Sequence, residues 1–121
     1  MAGDCACGGK TMLVFTCSGA ADVGELADRA ARKLSKETGV KMSCLAGVGG
    51  GISGFIASAN GADLAMVIDG CPVGCARKTL ETHGVTKFKH LKVTDHGFVK
   101  GKTAVTDANI EKVFNHAKEL I

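Results

Sequence analysis

The chain has 121 residues, 45% of them hydrophobic, which suits one domain with a real core. Its net charge of +3 comes mostly from lysines scattered among acids, and no basic run is interleaved with aromatics, so a nucleic-acid partner is not expected. No stretch approaches the roughly 20 apolar residues of a membrane span, and the opening "MAGDCACGGK" has no apolar signal region. A cytoplasmic, monomeric protein with no membrane partner is the expectation.

The first ten residues read as a flexible arm carrying Cys5 and Cys7, and residues 11–121 as a single α/β domain. "MLVFTC" (12–17) is a short apolar run of strand type. In the following stretch Val23, Leu26, Ala27, Ala30 and Leu34 recur at helical spacing. Asp22 and Glu25 suggest a capping box, and Gly39 a stop. "VKMSCLAG" (40–47) predicts the second strand, leading through "GVGGG" into a short helix over 53–59. "DLAMVIDG" (63–70) predicts the third strand, and Pro72 the first residue of a helix reaching His83. "FKHLKVTDHG" (88–97) predicts a half-buried edge strand. The chain closes as a helix with Ile110, Val113, Phe114, Ala117 and Ile121 inward.

Strands alternating with helices imply a three-layer α/β/α domain around a small, mostly parallel four-stranded sheet. Right-handed crossovers favour the strand order 2-1-3-4, a flavodoxin-like or Rossmann-like layout. On this frame Cys17, Cys44, Cys71 and Cys75 all fall at the carboxyl ends of strands, where open α/β sheets bind ligands.

Six cysteines in a reducing compartment point to metal or redox chemistry rather than structural disulfides. Neighbouring strands lie about 4.8 Å apart. Three strand ends and one helical turn can therefore bring four sulfurs around one ion, with Zn–S bonds of about 2.3 Å. The spacing of Cys71 and Cys75 is neither a zinc-ribbon knuckle nor a thioredoxin pair. The helix expected after Cys71 would set free N–H groups and partial positive charge beside the thiols, with Arg77 and Lys78 adding cations. That favours thiolates, the form that binds metal or attacks disulfides.

Three readings follow. The first is a metal-binding domain, not obviously an enzyme, holding zinc through Cys17, Cys44, Cys71 and Cys75. The second is a thiol redox or sulfur-transfer enzyme using Cys71 and Cys75, with Cys17 as another resolving thiol. The third is an iron–sulfur protein on the same cysteines. Asp69 is an auxiliary candidate, to cap the helix or orient a ligand. Cys5 and Cys7 form a CxC that could chelate a soft metal. "GVGGG" reads as a tight turn before an anion cradle. Asp95 and His96 read as a solvent-facing turn, and His83, His90 and His116 as ordinary helix-end or surface residues. No phosphate-loop or dinucleotide fingerprint is present.

"DGCPVGCARKTLE", "TCSGAADVGELADRAARKL" and "CLAGVGG" together resemble the DGC-domain family, named for its Asp-Gly-Cys motif. The resemblance runs from about Leu13 to Val105. It implies a prokaryotic cytosolic protein of undefined biochemical role. It also implies four characteristic cysteines associated with zinc, which map to Cys17, Cys44, Cys71 and Cys75.

Overall fold

A computed structural model describes residues 10–17 and 19–121. Cys5 and Cys7, and with them nearly all of the expected arm, lie outside the described residues.

Strand β1 (Met12–Thr16) occupies the middle of the sheet. On one side it pairs with β2 (Lys41–Met42), on the other with β3 (Leu64–Asp69), and β4 (Lys89–Lys92) pairs with β3. All pairings are parallel and the order is β2-β1-β3-β4, as the alternation of elements predicts. The two central strands read as continuous apolar runs because both of their faces are covered.

Alternate strand residues feed two cores. Val14, Met66 and Ile68 meet helix α1 (Asp22–Glu37) and helix α5 (Asp107–Lys118) on one face. Leu13, Phe15 and Val67 meet Val48, Ala59, Ala76 and Leu80 on the other. Those four come from helices α2 (Leu45–Gly49), α3 (Ser53–Gly61) and α4 (Cys75–Thr82). Because α1 follows β1 on one face and α4 follows β3 on the other, a crevice opens between the carboxyl ends of these two adjacent strands.

Several boundaries differ from the sequence expectation, each for a local reason. The second strand is not 40–47. After Met42 the ladder continues only through Ser43, whose amide reaches the Val14 carbonyl at 2.9 Å. Cys44 then caps α2, so the apolar run turns helical. The helix after β3 does not begin at Pro72. Residues 71–74 form a turn closed by the Gly74 amide on the Cys71 carbonyl at 3.2 Å, and Gly74 has φ 68, which breaks any helix through it. The fourth strand ends at Lys92 and runs into a 3₁₀ turn, Val93–His96. Asp22 is not a cap: the chain enters α1 at Ala21 with no side-chain cap, and Glu25 pairs with Arg29 at 2.8 Å. Ile121 is 48% exposed rather than inward. Among the described residues no helix is long and apolar enough to cross a membrane.

Candidate functional site

The crevice between β1 and β3 is a pocket whose walls include three of the four cysteines named above: Cys17, Cys71 and Cys75. Its floor depends on one glycine. A Cβ at Gly70 would lie 2.6 Å from the Gly24 nitrogen and 2.7 Å from the Val23 carbonyl carbon, so the end of β3 lies directly against the first turn of α1.

Each thiol has its own surroundings. Cys17 directly follows β1 and is half-buried. Its Sγ accepts the Gly70 amide at 3.4 Å, while its own amide donates to the Ile68 carbonyl at 3.3 Å. Cys71 is half-buried, and Lys100 Nζ donates to its Sγ at 3.7 Å. Cys75 is exposed and is the first residue of α4. The helix terminus therefore lies at Cys75 and not, as the sequence suggests, at Cys71.

Asp69 sets that helix start. It is 1% exposed, the last residue of β3 and part of the pocket wall. One carboxylate oxygen accepts the Ala76 amide at 2.8 Å. The other accepts the Arg77 amide at 3.1 Å and lies 2.8 Å from His90 Nε2. Of the roles open to Asp69 in the sequence, capping is the one its contacts describe, and the cap comes from across the loop rather than from the preceding residue. His90 is not an ordinary surface histidine, since it is the third partner of a buried carboxylate.

The cation at the thiols is Lys100, not Arg77, whose guanidinium pairs with Glu81 at 3.0 Å. Lys100 sits on a loop pinned from below. Asp22 accepts the Gly101 amide at 2.9 Å and the Thr103 amide at 3.0 Å. Thr103 Oγ1 accepts the Val99 amide at 2.9 Å and donates to the Val99 carbonyl at 2.7 Å. The Gly101 and Thr103 amides hold the Asp22 carboxyl below the usual carboxylate range. Sequence reasoning missed Lys100, Asp22 in this role, His90 and Gly70. The available signal for Lys100 was its place between glycines in "HGFVKGKT", which marks a tight loop without saying where it folds back.

Cys44 stands apart from the pocket. It is exposed, and its Sγ accepts the Gly47 amide at 3.3 Å as the cap of α2. As placed, the four sulfurs do not enclose one ion. Among the described residues no group of three or more Cys, His, Asp or Glu side chains is arranged to hold a metal. This arrangement therefore does not fit a closed four-thiolate zinc cage. "GVGGG" serves packing and turning: Gly47 lies under the Phe55 ring, and Gly51 has φ 75. Asp95 faces solvent, 3.9 Å from Lys92, and His96 stacks on His116 with centroids 3.9 Å apart, so neither lines the pocket.

Comparison with known proteins agrees with the motifs. A family model described as the DGC domain matches residues 13–117. The chain is 36% identical over 88 residues to the anaerobic and virulence modulator AnvM of Pseudomonas aeruginosa, covering 73% of this chain and 67% of that protein. No solved structure matches. With the family model running from the first residues of β1 to the last turn of α5, this chain belongs to the DGC-domain family.

Proposed function

We propose that this chain is a thiol-chemistry domain whose working site is the β1/β3 pocket, with Cys71 as the reactive sulfur. The observation that carries this reading is the Lys100 ammonium, 3.7 Å from Cys71 Sγ in a pocket shared with two further thiols. Each of the three thiols has a polar or cationic neighbour at the pocket. Cys71 faces the ammonium, Cys17 accepts an amide, and Cys75 begins a helix, where partial positive charge gathers.

The reaction class is thiol–disulfide exchange. The Cys71 thiolate attacks one sulfur of a disulfide, the S–S bond breaks, and the first thiolate product leaves. Cys75 or Cys17 then attacks the mixed disulfide and releases the second product. The protein ends with one internal disulfide, and the two thiol protons pass to the two products. The relative named a modulator linked to anaerobic conditions is consistent with a site that reports on oxidants.

A second reading is zinc held by Cys17, Cys44, Cys71 and Cys75. What favours it is that three of the four thiols already share one pocket. What it requires is that Cys44 leave the Gly47 amide and swing across. One experiment separates the two: elemental analysis of protein purified without added metal or chelator, with free thiols counted on the same sample. Little metal, with thiols that oxidise reversibly in pairs, supports the exchange chemistry. About one zinc per chain, with four thiols shielded until a chelator is added, overturns it in favour of zinc.

A further inference from the structure

We propose that Lys100 makes the pocket selective for small disulfides that carry a negative charge beside the reactive sulfur. The inference rests on the thiol reading above and names its substrate class.

The charges around the pocket decide the sign. Apart from its cysteines, the charged residues lining it are Asp69 and Lys100. Asp69 is spent: both oxygens are occupied by the Ala76 and Arg77 amides and by His90, and the side chain is buried. Lys100 is not spent. Among the described residues, Arg29, Arg32, Lys33, Arg77 and Lys92 each pair with a carboxylate, whereas the partner of the Lys100 ammonium is the Cys71 sulfur. The ammonium also stands on a loop held at Gly101 and Thr103 by Asp22 and closed across Val99 and Thr103, so its approach is built into the fold. The walls opposite are formed in part by Ala20, Ala21 and Val23 and offer no competing charge, while Lys100 itself is exposed, so its pull on a ligand is that of a water-screened charge.

A Cys71 thiolate alone would repel an incoming anion. With Lys100 beside it that repulsion is offset, and a carboxylate or sulfonate on the substrate gains a partner within reach of the attacking sulfur. The bond changes are those already given. Lys100 binds and positions, and it takes no part in the electron or proton inventory.

The test is time-resolved modification of the full, metal-free chain with three disulfides: anionic dithiobis(nitrobenzoate), neutral dithiodipyridine and cationic cystamine. Modification at Cys71 is followed by peptide mapping, in the wild type and in Lys100→Gln, Lys100→Arg and Lys102→Gln. Intrinsic reactivities differ among reagents, so the quantity compared is the anionic-to-neutral rate ratio. It should fall roughly five- to tenfold in Lys100→Gln and hold in Lys100→Arg and Lys102→Gln. It should also shrink in the wild type near 1 M salt, where the screening length is about 3 Å. An unchanged urea midpoint in Lys100→Gln shows that the fold survives. The same ratio in wild type and Lys100→Gln overturns the proposal while leaving the thiol site standing, and so does an equal loss in Lys102→Gln. A Cys71 inert to all three reagents overturns both.

Discussion

The missing side chain of Gly70 lets β3 lie directly against the first turn of α1. The two atoms nearest a Cβ there, the Gly24 nitrogen and the Val23 carbonyl carbon, are backbone and cannot rotate aside. Gly70→Ala must push β3 away from α1, and overpacking of this kind costs about 1–3 kcal/mol. Urea unfolding should show a lower midpoint, and an unshifted one would mean that the close approach is not required. The neighbouring Asp69 makes a second prediction. Asp69→Ala strands the buried Ala76 amide and the half-buried Arg77 amide and His90 ring, at a cost of about 3 kcal/mol. His90→Ala leaves the carboxylate with both amides and costs less, about 1 kcal/mol. Equal losses in the two variants would show that the helix cap is not the main contribution of Asp69.

At the scale of elements, the alternation of apolar strands with amphipathic helices was readable because period and burial are local properties. Right-handed crossovers restricted the possible strand orders and favoured β2-β1-β3-β4, which is the order found. Helix starts were not readable in the same way, because their caps are tertiary. Asp69 reaches Ala76 and Arg77 across a turn, and Asp22 ties the Val23 amide of its own first turn to a loop 79 residues away. That long-range tie has a pH signature. The Gly101 and Thr103 amides depress the folded carboxyl, and the unfolded chain lacks them. Folding therefore favours the ionised form. The contribution is fully present above the ordinary aspartate value and is lost as pH falls through the folded one. Urea midpoints measured from about pH 7 downward should drop below roughly pH 4. In Asp22→Asn that part of the acid-side drop should be missing, and the midpoint should already be lower at neutral pH. Parallel curves for the two proteins would show that Asp22 does not couple the loop to the fold.

Taken as a whole, the molecule has two unequal layers, and the site lies where they meet. One layer is dense: α1 buries Val23, Leu26, Ala27, Ala30, Ala31 and Leu34 along one face. The other is thin. Helix α3 buries only Ala59, its neighbours Phe55, Ala57 and Ser58 are exposed, and residues 43–62 contain no charged side chain to pair with anything. The sequence grouped all four cysteines at one edge, and this difference explains why three of them share the pocket while Cys44 lies apart. Cys17 and Cys71 follow the ends of the two central strands, which sheet geometry places together, and Cys75 starts the helix after the turn that follows β3. Cys44 follows a two-residue edge strand and belongs to the thin layer, whose course depends on small residues and a local cap. Stability should be distributed in the same way. Global unfolding of such a domain costs about 5–15 kcal/mol, and amides of β1, β3 and α1 should exchange with solvent only through it. Amides of α3 should exchange through local openings costing about half as much or less, because little buried apolar surface resists them. Hydrogen exchange read by mass spectrometry at several low urea concentrations distinguishes the cases. Exchange of residues 53–61 that is insensitive to urea, while α1 responds steeply, is the expected result. A common steep response would show one cooperative unit, with Cys44 held as firmly as the thiols of the pocket.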